Sequence, residues 1–391
     1  MDFVSEKIKA LPPYLFSRIQ KRKKQLEKEG KDIIDLGIGA PDLPTPSFII
    51  DTLVNEVQKP ENHRYSSYTG TDEFRQAVAH FYQKQYGVKL DPDEEVLALV
   101  GSKEGIAHFI PAVINQGEKV LVPNPGYPVY RSAVHLAGGN AIDLPLNAEQ
   151  NGEPVFEELS DEALQDSKLM LLNYPGNPTA ATVQKSTFLK AVTYAEKYQL
   201  AIAHDAAYSL TTFDGYQAPS MMEVPGAKEY AVEFGSLSKS FNMTGWRIGY
   251  VVGNREMIKA LATYKSNVDT SQFIPVQKAA VAALTSDLSA VSEHNAIYQQ
   301  RRDRMLNALT SIGIHASKPR GTFFIWAPVP QGYSSMEFAD RLLTELGVIV
   351  TPGNAFGSAG EGYFRISLSV PDERLNEAVK RIEKLHMGGD S

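Results

Sequence analysis

Cysteine is absent from the 391 residues, so disulfides and thiolate metal sites cannot form and a secreted disulfide scaffold is excluded. No apolar run approaches the ~20 residues that a membrane-spanning helix needs. The first residues, Glu6 and Lys7 among them, lack the apolar centre of a signal peptide. A basic excess is missing too. Lys and Arg number 39 against 46 Asp and Glu, a formal net charge of −7, whereas a nucleic-acid binder carries a basic face. There are no internal repeats and no low-complexity segments. What remains is the expectation of a cytoplasmic globular protein with no resident metal and no nucleic-acid or membrane partner. Its 43% hydrophobic and 22% charged residues are ordinary for that class, and the length allows two to three domains and a large core.

The chain is organised around the stretch from Phe234 to Tyr250. A β-forming run, Tyr230 to Phe234, stops at Gly235, and small hydroxyl residues then flank one lysine, Lys239. Arg247 follows eight residues later and opens a second apolar run, Ile248 to Val252. Ser236, Ser238 and Arg247 can cup a phosphate, with short hydroxyl donors beside a planar guanidinium. A lysine partly desolvated beside such a site loses some preference for its charged form and can act as an amine nucleophile. The stretch therefore points to a Schiff-base lysine and a phosphorylated aldehyde cofactor. Ser-Leu-Ser-Lys alone reads as a surface turn; the remaining chain decides against that.

Taken in order, residues 12–31 read as a helix whose basic patch, Lys21 to Lys24, is balanced by Glu27 and Glu29 as a solvated face. A short strand (33–36) leads to Gly37-Ile-Gly-Ala-Pro-Asp42, which lacks the third glycine of a dinucleotide fingerprint. Its backbone can still approach a ligand at Gly39. A helix over about 47–58 precedes the aromatic turn from His63 to Gly70, and another helix starts near Asp72. Strands are then expected at 95–100, 119–122, 168–172, 200–204, 230–234 and 248–252, mostly alternating with helices. That rhythm predicts a mostly parallel sheet with helices on both faces, and ligands lie beyond the carboxyl ends of such strands. Ser102, Tyr127, Asn177, Asp205 and Lys239 all fall there. From about residue 296 the pattern changes to helix 296–311, strand 322–327, helix 335–346, strand 348–350, strand 363–368 and helix 371–385. This reads as a smaller α+β domain, with a disordered tail expected at 387–391.

Eight spaced motifs now stand in one order: Gly39-x-Pro41-Asp42, Tyr65 with Gly70, Gly101-Ser102, Pro125-Gly-Tyr-Pro128, Asn173 to Thr179, Asp205-x-x-Tyr208, Ser236-x-x-Lys239 and Arg365. In this the sequence resembles the class I/II aminotransferases, fold-type I enzymes dependent on pyridoxal 5′-phosphate. Within that family it is most similar to bacterial enzymes acting on alanine, methionine or LL-diaminopimelate. The resemblance implies a large α/β domain (46–290) with a mostly parallel seven-stranded sheet. An N-terminal arm and part of the small domain (1–45) precede it, and the small C-terminal domain (291–391) follows.

It also implies roles. Lys239 is the Schiff-base lysine and proton carrier, Asp205 pairs with the pyridine N–H, and Tyr208 and Asn177 bond the cofactor's phenolic oxygen. Tyr127 stacks on the ring. Ser102, the Lys103 backbone, Ser236, Ser238 and Arg247 hold the phosphate. Arg365, with Asn177 and the Gly39 backbone, takes the substrate carboxylate, and Tyr65 reaches the partner's phosphate in a homodimer with shared sites. The implied reaction moves an α-amino group from an L-amino acid to a 2-oxo acid, 2-oxoglutarate being the expected acceptor. A β-C–S lyase or a non-catalytic regulator on the same fold are the alternatives.

Read singly, Asp205 also suits a helix N-cap, Ser102 simple capping, Tyr127 and Tyr208 packing, and Arg365 a surface strand. Tyr130 reads equally as core or as a partner of Asp205. Ala40 departs from the polar residue many relatives carry in its loop. Arg64, Arg320 and Lys265 are the candidates for a distal substrate carboxylate.

Overall fold

Apolar runs bounded by glycine-rich turns become strands here, and alternate residues of each strand divide between two cores. A computed structural model describes residues 2–11, 15–147 and 152–385. The expected tail and the first residues of the 12–31 helix lie outside them, and that helix is described over Leu15–Lys28. In chain order the first strands are β1 (Ile34–Asp35), β2 (Val96–Leu99), β3 (Lys119–Asn124), β4 (Asn140–Asn147) and β5 (Glu153–Pro154). There follow β6 (Ser167–Asn173), β7 (Ala201–Asp205), β8 (Ala231–Ser236) and β9 (Gly249–Gly253). The last four are β10 (Phe324–Pro328), β11 (Val348–Ile349), β12 (Thr351–Pro352) and β13 (Tyr363–Ser367).

The large sheet runs β2-β9-β8-β7-β6-β3-β4-β5. Neighbours from β8 through β4 are parallel, while β9 and the two-residue β5 run antiparallel. The expected mostly parallel architecture is present with eight strands, one more than the resemblance implies; β4 and the edge strand β5 are not among the six placed from the sequence. Leu97, Leu99, Leu169, Leu171 and Phe234 pack on one face with the helices Ser102–Val113 and Arg255–Ser266. Val96, Ala98, Met170, Leu172 and Ile202 face the other way, onto the helices Asp72–Tyr86, Lys185–Tyr198 and Ile274–Thr285. Fully burying each such large apolar side chain is worth about 1.5–3 kcal/mol, so the sheet is a rigid base for the turns at its carboxyl edge.

A separate core gathers Phe323, Phe324, Phe338, Leu342, Phe364, Ile366 and Leu375. Around it lie the sheet β10-β13-β12, the parallel pair β1-β11 and three helices. Helix Ser335–Leu346 shows how locally specified these elements are: Ser334 and Glu337 form a capping box, and Gly347 ends the helix at φ 66°. Two boundaries differ from expectation. The long helix starts at Ser289 rather than 296, after Leu288 at φ 66°. The strand expected at 348–350 is two pieces, β11 pairing with β1 and β12 with β13. Among the described residues, no helix is long and apolar enough to cross a membrane.

Candidate active site

The carboxyl ends of β2, β3, β6, β7 and β8 meet the loop at 38–40 and strands β10 and β13 around a cavity of about 540 Å³. Ser102, Lys103, Tyr127, Asn177, Asp205, Tyr208, Ser236, Ser238, Lys239, Arg247, Gly39 and Arg365 all line it. Tyr65 does not. It stands 90% exposed on the surface of its own chain.

Lys239 sits on the short helix Leu237–Ser240, directly after β8. Its Nζ donates to the Gly39 carbonyl at 3.1 Å and lies 6.0 Å from the ring centre of Tyr208 and 5.8 Å from that of Phe323. Protein encloses the amine except where it faces the cavity. That burial, helped by the positive charges of Arg247 and Arg365 and opposed by Asp205, lowers its pKa to about 8. The neutral amine is therefore far more accessible near neutral pH than that of an ordinary exposed lysine.

Asp205 ends β7 and is buried, which pushes its pKa upward. Against burial act the Tyr130 hydroxyl, donating to Oδ2 at 2.8 Å, the neighbouring His204, the Ala207 N–H at 3.3 Å from Oδ1, and Lys239. Tyr130 is thus both core, at 1% exposure, and a partner of Asp205. Asn173 orders the same corner: its Nδ2 donates to the Asp205 carbonyl at 2.8 Å, and its Oδ1 accepts from the Asn177 N–H at 2.7 Å. Burial also pushes the Tyr208 hydroxyl's pKa upward.

Opposite lies an anion cup. Ser102 begins the helix Ser102–Val113, whose first N–H groups and dipole favour negative charge. Gly101 precedes it at φ 88°, and a Cβ there would collide with the Arg247 guanidinium, so only glycine permits this approach. Arg247 itself is left-handed, at φ 55°. Its Nη1 donates to the Thr244 carbonyl at 3.0 Å, and its Nη2 to the Val100 carbonyl at 3.3 Å. Ser236 Oγ accepts from the Ser238 N–H at 3.2 Å.

Arg365 comes in from the smaller core on β13. It is 3% exposed and lies over the rings of Phe324 (4.2 Å) and Phe356 (4.8 Å). Its Nη1 donates to Asn177 Oδ1 at 2.6 Å and its Nη2 to the Gly37 carbonyl at 2.7 Å. It is not a surface-strand arginine.

The family profile described as aminotransferase class I and II matches residues 31–382. The chain belongs to the class I and II aminotransferases. It is 49% identical over 381 residues to the LL-diaminopimelate aminotransferase of Moorella thermoacetica, covering 97% of this chain and 98% of that one. The protein of the same name from Syntrophobacter fumaroxidans is 47% identical, over 98% and 100% of the two chains. Among solved structures, substrate-bound BacF from Bacillus subtilis superposes with a TM-score of 0.94 at 37% identity, over 100% of both chains. An aspartate aminotransferase from Thermotoga maritima gives 0.90 at 29%, over 97% of this chain and 99% of that one.

This aminotransferase is therefore a pyridoxal-phosphate-dependent transaminase. The residues fit that cofactor: an amine with a lowered pKa, a buried carboxylate across the cavity, and a cup that excludes any Cβ at Gly101.

Three features escaped the sequence. The buried Gln272 donates Nε2 to the Arg247 carbonyl at 2.9 Å and also to the Leu99 carbonyl, joining the cup's arginine to the end of β2. Asn173 had been placed in a motif without a task. Phe324 and Phe356 supply the apolar bed of Arg365. Of the three candidates for a distal carboxylate, none lines the cavity of its own chain. Lys265 is buried and committed to Glu104 (2.7 Å) and Asp269 (2.9 Å). Arg320 lies over the Tyr216 ring at 4.9 Å, and Arg64 is exposed on the surface.

Proposed function

We propose that this transaminase takes LL-diaminopimelate as its amino donor and 2-oxoglutarate as its acceptor. Two relatives near half identity over the whole chain bear the name of that donor, and this observation carries the substrate reading. The test is a donor panel of LL-diaminopimelate, alanine, methionine and aspartate with 2-oxoglutarate, followed as glutamate formed. The highest kcat/KM is expected for LL-diaminopimelate; no turnover of it beside rapid turnover of another donor overturns the proposal.

Pyridoxal 5′-phosphate, when bound, supplies an aldehyde for the amino group and a ring that accepts the electron pair left on the substrate Cα. The protein's share is proton transfer and placement. Lys239, with its readily available neutral form, takes the proton from Cα. Asp205 holds the ring nitrogen's proton, since a near anion favours a protonated ring. Asn177 and Tyr208 hold the phenolic oxygen, Tyr127 covers the ring, and Ser102, the Lys103 backbone, Ser236, Ser238 and Arg247 hold the phosphate. Arg365 receives the substrate α-carboxylate in its planar fork, with Asn177 and the Gly39 backbone beside it. Replacing Asp205 with Asn keeps the shape and removes the charge, and losing a buried charge partner costs about 3–5 kcal/mol. Turnover is then expected to fall by about two to four orders of magnitude; wild-type turnover in a folded variant refutes the role.

The working unit is a homodimer in which Tyr65 reaches its partner's phosphate. Supporting this, Tyr65 is 90% exposed on its own chain, and Tyr68, Ile50, Val54 and Phe273 are exposed large apolar side chains as well.

A further inference from the structure

Asp42 closes a segment whose backbone enters the site, since the Gly37 carbonyl accepts from Arg365 and the Gly39 carbonyl from Lys239. The near end of this segment is tied to β13 and β12. The Ser367 N–H donates to the Leu36 carbonyl at 2.7 Å, Thr351 Oγ1 to the Gly37 carbonyl at 3.1 Å, and Ser369 Oγ to the Ile38 carbonyl at 3.0 Å. The far end is held through Asp42, by Arg301 and Tyr298. Asp42 Oδ1 accepts from Arg301 Nη1 at 2.8 Å and from the Tyr298 hydroxyl at 3.3 Å.

Arg301 stands on the helix Ser289–Ser311 and is 1% exposed. The same Nη1 donates to the Leu368 carbonyl at 3.1 Å, just past the strand that bears Arg365. Its Nε and Nη2 reach the Asp372 carboxylate at 3.4 and 3.3 Å, where the helix Asp372–Ile382 begins. One rigid guanidinium therefore joins the segment over Lys239, the end of the Arg365 strand and the last helix, at angles that a flexible ammonium cannot impose. Stability alone does not explain the arrangement, because buried ion pairs can often be replaced by apolar side chains without loss.

We propose that Arg301 and Asp42 are positioning residues for the substrate α-carboxylate, holding the Gly37–Asp42 segment at the spacing from Arg365 that carboxylate binding requires. This rests on Arg365 as the carboxylate site proposed above. Neither side chain touches substrate; both act through Gly37, Gly39 and Arg365.

The test compares methionine with its decarboxylated amine, 3-(methylthio)propylamine, each reacted in the amino-donor half-reaction with the cofactor-loaded enzyme over a range of concentrations. In Arg301→Met the kcat/KM for the amino acid falls by about 10- to 100-fold, the scale of a misplaced binding group, mostly through KM. The rate with the amine, which has no carboxylate to place, stays near wild type. Arg301→Lys, which keeps the charge opposite Asp42, recovers part of the loss. Asp42→Asn shows the same selective loss and carries the test if Arg301→Met does not fold. Equal losses for both substrates, or wild-type discrimination in the folded variants, overturn the proposal. Arg365→Ala is the control: if it still prefers the amino acid over the amine, the carboxylate reading fails and the clasp with it, which separates the two failures.

Discussion

Tyr130→Phe removes one oxygen atom and isolates one interaction. The Tyr130 hydroxyl donates to Asp205 Oδ2 at 2.8 Å, and it is the first force opposing the burial that pushes the Asp205 carboxyl's pKa upward. Both groups are buried, with Tyr130 at 1% and Asp205 at 8% exposure, so solvent does little to screen the contact. A hydrogen bond to a charged group contributes about 1.5–3 kcal/mol, equivalent to roughly 10- to 100-fold in rate where the charge is needed in the transition state. The sign follows from the proton balance. Without the hydroxyl the anion is less favoured, so Asp205 binds its proton more tightly and loses its charge earlier as pH falls. The variant should therefore show kcat lowered about 10- to 100-fold, with the acid limb of the kcat–pH profile moved to higher pH. KM for the amino donor should change little, since the Tyr130 hydroxyl is bonded to Asp205 and Arg365 is the residue proposed for the substrate carboxylate. Steady-state turnover across pH at saturating donor, with circular dichroism to confirm folding, makes the measurement. A profile superimposable on wild type with kcat within about twofold would refute the view that Tyr130 sustains the Asp205 charge.

The parts of this site that were legible in the sequence are those whose signal is local. Lys239, Asp205, Ser102 and Asn177 each follow an apolar strand within a few residues, and strand ends in a parallel sheet face one edge. The contacts that could not be read residue by residue depend on partners distant in the chain. That is why Tyr130 read equally as core or as a partner of Asp205, and Arg365 taken singly as a surface-strand residue. The hydroxyl of Tyr130 finds its carboxylate 75 residues away, and Arg365 finds the Gly37 carbonyl 328 residues away. Lys265 looked available for substrate because the residues that neutralise it, Glu104 and Asp269, converge only in the fold. Gln272 carries no motif; its task follows from lying between two carbonyls of the cup. Strand β4 escaped because it is second from the sheet edge, and only Leu144 of its eight residues is fully buried. Its sequence therefore shows no apolar run.

Three further outcomes are expected. In cofactor-free protein, acetylation of Lys239 followed by peptide mass spectrometry should rise with pH through a midpoint near 8, because only the neutral amine reacts. A midpoint above 10, shared with exposed lysines, would refute the burial argument. Gly101→Ala places a Cβ against the Arg247 guanidinium at a φ of 88°, a backbone strain of about 1–3 kcal/mol. Cofactor affinity should fall about tenfold while the fold persists; unchanged affinity would mean that the cup tolerates a side chain there. The last outcome concerns sharing of the site, since Tyr65 lies outside the cavity of its own chain and is 90% exposed. A heterodimer of Tyr65→Phe with Lys239→Ala, purified through two different tags, holds one site that can turn over, on the Tyr65→Phe chain. If the tyrosine acts across the interface, that site receives an intact Tyr65 from the Lys239→Ala partner. One charge-assisted hydrogen bond to phosphate is worth about tenfold in affinity, so the cofactor concentration giving half-maximal turnover separates the cases. A value matching wild type supports the shared site. A value matching the Tyr65→Phe homodimer places the contact within one chain and removes the shared-site proposal.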